Sequence, residues 1–515
     1  MRKWAPLIAV CLGIFMLLLD VTIVAVALPD LEQSLHTSLS DLEWVMDAYA
    51  IALAALLLGA GSVADIVGRR KVYLVGLVLF TASSVVCGLA GNGTVLVAAR
   101  GVQGIGGAAM LATTLSLLSS IYVGRDRAVA FGAWGAVSGA AAASGPILGG
   151  LLTQGLDWRW IFLVNIPVGM AALLLTLNTM PESKGRHVPR LDIPGLVTFT
   201  AFIAATVYAL IKAASDGWGS AHVFGFLIGG AAALVLFLVI EVKSAHPMLD
   251  VRLFRRPAFV AIMTGTFAMQ CAAFACIVYI SVWLQTVLGL SPIRAGLSLI
   301  PLAICSFVVA GVGSRLLHGV RPRWTIGVGL LLIAGGAFTQ AHLDASSDWA
   351  SLLPGLIMVG VGVGLANPAV SNAAMEAAPR DRAGMAAGAA NTFRQLGYAL
   401  GVAVFGTLLV NRTEHVISDH GVPGAHGVAQ AATGGGAQSV IGAVPLSERA
   451  AAAHVLREAV ASGLNTAEIT AGSVGLLGAL LVLFLVKNHQ HHEAPAESPA
   501  AGGVAAAPRS EVPQG

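Results

Sequence analysis

The sequence predicts an all-α polytopic membrane protein, and three observations carry that prediction. The chain is 57% hydrophobic and only 11% charged, where a soluble domain carries about 25% charged residues. Its apolar residues fall in long charge-free runs, and a spanning helix needs about 20 such residues. The runs lack the alternating polarity of ~10-residue barrel strands.

Taken in order, the expected spans begin with 4–29, which holds Asp20, and 44–64, which holds Asp47. The run 72–99 covers the third span, a short turn at Gly91-Asn92-Gly93 and the start of the fourth, which carries Arg100 and continues over 101–124. Next come 128–156, 160–181, 193–211, 217–240, 257–293, 295–314, 324–343, 349–375, 383–411 with Arg394, and 469–486. That makes fourteen helices. The Lys/Arg distribution checks the count, because cytoplasmic loops are enriched in these residues. With the N-terminus inside, 21 Lys/Arg fall on cytoplasmic segments and 6 on outer ones, and only Arg100 and Arg394 lie within helices. Both termini are then cytoplasmic. The start, Met1-Arg2-Lys3 followed by a long apolar stretch, reads as a retained first span rather than a cleaved signal.

An internal echo organises the chain. Arg125-Asp126-Arg127-Ala128 opens the fifth span and Arg380-Asp381-Arg382-Ala383 the thirteenth, 255 residues later. Parallel repeats about an axis along the membrane normal are a known transporter plan. Residues 1–180 are therefore expected to form one six-helix bundle. Residues 181–256 form an insert of helices 7 and 8, and 257–487 form a second six-helix bundle that includes an outer loop, 412–467. Residues 488–515 are expected to be a disordered cytoplasmic tail. A short surface helix is expected near Leu446–Leu464.

Composition excludes several functions. A net charge of +3 lacks the basic face that nucleic acid requires. No GxxxxGK[ST] loop is present, so no nucleotide is expected to drive the protein. No HExxH or comparable cluster suggests an enzyme or a metal, and no cofactor is expected. Cys11, Cys87, Cys271, Cys276 and Cys305 read as apolar packing residues.

Charges inside spans are costly and mark function by default. Asp20 must face a cavity, find a partner or hold a proton. Asp47 has two open readings, a vestibule acid or a solvated interfacial one. Arg100 needs an acceptor, and Gln103 lies one turn on. Arg394 lies near Asn391 and Gln395, with Asn372 or Glu376 on helix 12 as conceivable partners. Gln270, Gln285 and Asn367 are further polar positions.

Several motifs then become specific. The stretch from Leu19-Asp20-Val21-Thr22 to Leu28-Pro29 resembles a first-helix motif of the fourteen-helix drug:proton antiporters of the major facilitator superfamily, the EmrB/QacA type. Ala25 stands where that motif usually has Asn. The stretch from Gly61 through Asp65-Ile66-Val67-Gly68 to Arg69-Arg70-Lys71 resembles the loop 2–3 signature, with Ile66 replacing its usual basic residue. Arg100-Gly101-Val102-Gln103-Gly104, Gly145-Pro146-Ile147-Leu148-Gly149-Gly150 and the run from Trp158-Arg159-Trp160 to Asn165-Ile166-Pro167 resemble the motifs of helices 4, 5 and 6. The resemblance covers roughly residues 5–411 and the last helix. It implies a major facilitator fold and a proton-coupled exporter of amphipathic or cationic drugs across the cell membrane. It ties Arg100 to proton coupling and supports Asp20 as the acid, with Asp47 and Gln103 as further coupling candidates, and it implies a cytoplasmic gate of Gly61, Asp65, Gly68, Arg69 and Arg70. Gly145, Pro146, Gly149 and Gly150 would form an antiporter motif that bends helix 5 and seals the bundle interface. Gln270, Asn391 and Arg394 are cavity candidates. The expected partners are a small amphipathic molecule, protons and the lipid bilayer. A dedicated exporter of one natural product or lipid is the alternative, and a non-transporting receptor or scaffold is the alternative of another class.

Overall fold

In lipid, every backbone polar group must be satisfied within the protein, which leaves helices and closed barrels as the spanning structures. The computed structural model describes residues 2–35, 39–184, 192–244, 247, 249–316, 320–377 and 383–486, and among these it is helical with no strand. The principal helices are α1 (Ala5–Leu35), α2 (Leu39–Val67), α3 (Arg69–Gly88), α4 (Gly93–Ile121) and α5 (Gly124–Gly155). They continue with α6 (Trp160–Thr179), α7 (Ile193–Asp216), α8 (Ala221–Lys243), α9 (Pro257–Gln285) and α10 (Ile300–Leu316). The last four are α11 (Pro322–Gln340), α12 (Leu353–Ala377), α13 (Ala383–Asp419) and α14 (Arg449–Leu485). Among the described residues, 11 helices are long and apolar enough to cross a membrane, and α10 adds a shorter apolar stretch.

Local chemistry sets the boundaries. The Asn92 side chain accepts a hydrogen bond from the Val95 amide at 2.9 Å and caps α4, satisfying one of its orphan donors. Asp192 does the same for α7 through the Gly195 amide at 2.8 Å. Between α2 and α3, Gly68 adopts φ 129°, a region closed to most side chains. A Cβ there would also lie 2.7 Å from the Glu182 carboxylate. Glu182 in turn accepts from the Arg70 amide at 3.0 Å, placing an anion on the N-terminus of α3.

The pattern of neighbours recurs along the chain. α3 packs on α4, α2 on α4, α1 on α5 and α6, and α3 on α6. Eight helices later, α11 packs on α12, α10 on α12, α9 on α13 and α14, and α11 on α14. Even the closest approaches correspond. A Cβ on Gly76 would meet the Gly106 carbonyl at 2.8 Å, and one on Gly329 would meet the Gly362 carbonyl at 2.7 Å. Small residues of this kind let helices in lipid approach backbone to backbone. The two groups meet through α2 on α13, α5 on α10 and α12, and α4 on α13. α7 and α8 pair with each other, and α7 rests on α2 and α13.

Three features depart from the expectations. α9 contains a π-helical stretch, Gln270–Ala275, and runs at its end into a second, Trp283–Val287. The outer stretch 412–467 is largely helical: α13 runs on to Asp419, short helices follow between Ala425 and Gly442, and α14 already starts at Arg449. The expected surface helix and last span are thus one 37-residue helix. The second copy of the Arg-Asp-Arg echo, the side chains of Ala25 and Pro146, and the tail from 488 lie outside the described residues.

Candidate functional site

The polar centre of the first group is built on α1, α4 and α6. Asp20 and Arg100 are each 1% exposed. Arg100 Nη1 donates to Asp20 Oδ2 and to Gln103 Oε1 at 2.8 Å. Arg100 Nε donates to the Val45 carbonyl at 2.9 Å, and the guanidinium lies 4.2 Å from the centre of the Tyr49 ring. Gln103 Nε2 donates to Asp20 Oδ1 at 3.1 Å. Asn165 Nδ2 donates to the same oxygen at 3.2 Å and to Ser84 Oγ at 3.0 Å. Ser84 Oγ in turn donates to the Phe162 carbonyl at 2.9 Å.

This arrangement answers the question that Asp20 poses. The acid does not stand open in a cavity; it is bonded from three side chains, one of them cationic. Arg100 finds its carboxylate on the neighbouring α1 rather than across the space between the two groups. Such a buried pair is costly to assemble and worse to break, since removing one partner leaves the other charge uncompensated. Asn165 and Ser84 complete the cluster. Asn165 lies within the quoted helix-6 motif, yet neutral polar residues in a span carry no charge penalty that would single them out.

Asp47 is partly buried near the start of α2 and is engaged in an interaction of its own. Beside it, Trp44 stacks on Tyr208 of α7 at 5.7 Å, with Lys212 over the indole.

The second cluster lies at the end of the molecule that carries Arg69, Arg70 and Arg252, here called the basic end. Arg69 Nε and Nη2 donate to Asp65 Oδ1 at 3.0 and 2.8 Å. The backbone amide of Met385, in the first turn of α13, donates to Asp65 Oδ2 at 3.2 Å. Asp65 thus joins its own helix to a helix N-terminus of the other group, where a negative charge is favoured. Arg70 turns away and donates to the Leu177 carbonyl at 2.8 Å. Gly61 is buried on the same turn of α2. Close by, Gly388 of α13 abuts the α2 backbone at Leu57 and Leu58, 3.0 Å from a Cβ position.

A third cluster sits deeper between the groups. Arg394 Nη2 donates to Asn367 Oδ1 at 2.8 Å and to Ser371 Oγ at 2.9 Å. Its guanidinium lies 5.0 Å from the Trp134 ring of α5, a cation–π contact. Asn372 and Glu376 instead bond to each other at 2.8 Å. Asn391 Nδ2 donates to the Leu111 carbonyl of α4 at 3.2 Å. Gln270 is half-buried where the first π-helical stretch of α9 begins, apart from these contacts.

α5 runs without interruption from Gly124 to Gly155. Gly145 is the point at which it presses on α1: a Cβ there would fall 2.6 Å from Thr22 Cβ and collide with its hydroxyl. Gly149 and Gly150 are buried further along the same helix. The contact lies two residues from Asp20, so α5 braces the segment that carries the acid.

Among the described residues the protein is a strandless helical bundle with charged clusters buried between apolar helices, the architecture of a multi-pass membrane protein. Residues 10–402 match the profile of the Major Facilitator Superfamily, and the chain belongs to that family. It is a multi-pass membrane transporter rather than an enzyme. It is 32% identical to the tetracenomycin C resistance and export protein of Streptomyces glaucescens, over 98% of this chain and 95% of that protein. It is 35% identical to the multidrug resistance protein Stp of Mycobacterium tuberculosis, over 80% of this chain and 77% of that one. In fold it is similar to the human organic anion transporter MFSD10 (TETRAN), with a TM-score of 0.62 at 14% identity, over 93% of this chain and 99% of that chain.

Proposed function

We propose that this protein is a proton-coupled antiporter that exports amphipathic or cationic drugs across the cytoplasmic membrane by alternating access. In this reading it has fourteen spans with both termini cytoplasmic. α1–α6 and α9–α14 are two parallel repeats, and α7 and α8 are the insert. The relatives named for drug resistance and export support the substrate class. The observation that carries the coupling is the Asp20–Arg100 pair with Gln103 and Asn165.

The mechanism follows from charge accounting. With Asp20 ionised, the Arg100 cation ties α1 to α4. A proton arriving on Asp20 removes the attraction, and Arg100 retains the Val45 carbonyl and the Tyr49 ring. The tie between α1 and α4 then loosens, and α5 and α6, which lean on α1, are free to shift with it. The basic end is the cytoplasmic side, and there Asp65 bonds across to α13 while Gly388 meets α2. These contacts close the path from the cytoplasm in this state and part when it opens. Ethidium efflux from cells tests the reading. Wild type should extrude the dye while a proton gradient is imposed and stop when it is collapsed. Asp20→Asn should lose the gradient-dependent component. Efflux of the same size from well-expressed Asp20→Asn would refute Asp20 as the coupling acid.

One observation favours the narrower reading, a dedicated natural-product exporter. Asp20 is already neutralised by Arg100, whereas the partners of Arg394 are an amide, a hydroxyl and an indole face. A half-buried guanidinium with only neutral partners suits a planar aromatic substrate bearing acidic or phenolic oxygens. Tetracenomycin C efflux that exceeds ethidium efflux, and falls in Arg394→Gln, would select this reading.

A further inference from the structure

The second group holds a buried acid of its own. Glu468 lies within α14 and is 1% exposed. Its Oε1 has no hydrogen-bond partner, and the Cys276 thiol of α9 is its polar neighbour.

Its place in the fold is not arbitrary. α14 presses on α9 along one helical face. A Cβ on Gly478 would touch Ala268, one on Gly475 would lie 3.5 Å from Ala272, and Gly265 faces Val482. Continuing these steps toward the far end of both helices brings Glu468 to Cys276. In the first group α1 and α6 hold the positions that α9 and α14 hold in the second. There, Asp20 on α1 meets Asn165 on α6. The sequence offset of the repeat carries Asp20 to Ala275, next to Cys276. An acid thus stands on α1 in the first group and on α14, the counterpart of α6, in the second.

Among the described residues the counter-charge is not duplicated. α12, the counterpart of α4, contains no Lys or Arg. α11 contains only Arg323, at its other end. On α13, Arg412 is exposed and donates to Ser462 at 3.0 Å, and Arg394 belongs to the cluster with Asn367. α9 contributes Cys271, Cys276 and Tyr279, whose hydroxyl donates to the Val402 carbonyl. Of α14's own charged groups, Arg449 bonds to the Gly442 and Val444 carbonyls, and Arg457 and Glu458 are exposed. An ionised carboxylate here would be a bare charge in a low-dielectric setting, whereas the neutral acid is far cheaper to bury. The helix that faces it has its backbone ladder opened by the π-helical stretch Gln270–Ala275, a deformation found often at functional sites.

We propose that Glu468 is a second proton-binding site, held by Cys276 and the π-helical stretch of α9, and that its proton is exchanged during the transport cycle. The exchange rests on the proton-coupled reading above; the binding site does not. Infrared spectroscopy of the purified full-length protein across pH 5–9 tests the site without any substrate. Wild type should show a carboxylic-acid absorption that fades with rising pH. Glu468→Gln should lack it, and Glu468→Asp should restore it at a shifted frequency. Dicyclohexylcarbodiimide, which attacks protonated acids in apolar surroundings, should modify Glu468 and spare the Arg100-paired Asp20. A Glu468 that stays ionised throughout, or stays protonated without responding to pH, overturns the site. If Glu468→Gln does not fold, the wild-type labelling and the Glu468→Asp spectrum decide alone. Proteoliposomes loaded with ethidium then test the exchange. Protons moved per ethidium should fall by about half in Glu468→Gln, and an unchanged ratio contradicts the exchange. Wild-type vesicles that move ethidium without protons would sink the coupled reading and leave the infrared result standing.

Discussion

Asp20 and Arg100 are fully buried in one another's company, so their energetics are coupled. Asp20→Asn leaves the guanidinium with neutral partners only, and loss of one member of a buried pair costs about 3–5 kcal/mol. Asp20→Asn combined with Arg100→Gln should regain a large part of that loss, because no bare charge remains. Thermal unfolding of the purified variants, read as a double-mutant cycle, checks this. Additive losses in the double variant would mean the two residues act independently. The sequence discloses Asp20, Arg100 and Gln103, because a charge or an amide inside an apolar run stands out. It does not disclose Ser84 and Asn165, whose neutral side chains cost little in a span. Glu468 escapes for another reason. It borders a charge-free run, where sequence alone does not distinguish a solvated end from a buried turn, and only the continuous α14 puts it inside.

At the scale of elements, α5 and α1 meet at Gly145 against Thr22. Gly145→Ala must displace the Thr22 side chain, and Gly145→Leu must push the helices apart. Overpacking of this kind costs typically about 1–3 kcal/mol, so gradient-driven efflux should fall with side-chain size while Gly155→Ala, where a Cβ meets nothing, should leave it unchanged. Equal efflux from all three variants would remove α5 from the mechanism. The α2–α13 contact makes a parallel prediction. Asp65→Asn weakens acceptance from Arg69 and from the Met385 amide. A cysteine replacing the neighbouring buried Ala387, in a background lacking the five native cysteines, should then react faster with a membrane-impermeant thiol reagent, by about tenfold for each 1.4 kcal/mol lost from the closed state. Unchanged reactivity would show that other contacts hold this end shut. The glycine motif of α5 is visible in the sequence, but which helix it meets is a property of packing. The stretch 412–467 reads as a loop because glycine and polar residues dominate its middle. Its flanks are helical in the structure because α13 and α14 continue as a packed pair, with Gly463 against the Leu409 carbonyl.

For the whole molecule, Asp20 and Glu468 are buried acids in two similarly packed groups, and among the described residues Asp20 is bonded to a cation while Glu468 is not. The membrane class and the order of the helices follow from composition and charge distribution. The asymmetry does not, because it depends on which helices touch. The account's central claim is that protonation of Asp20 links the proton gradient to substrate movement. Paired transport assays in proteoliposomes, using ethidium, test it most directly by comparing gradient-driven accumulation with substrate-for-substrate counterflow in wild type and Asp20→Asn. The account predicts that Asp20→Asn keeps counterflow and loses accumulation, because binding and reorientation survive without the proton step. Gradient-driven accumulation by Asp20→Asn at the wild-type level would contradict it.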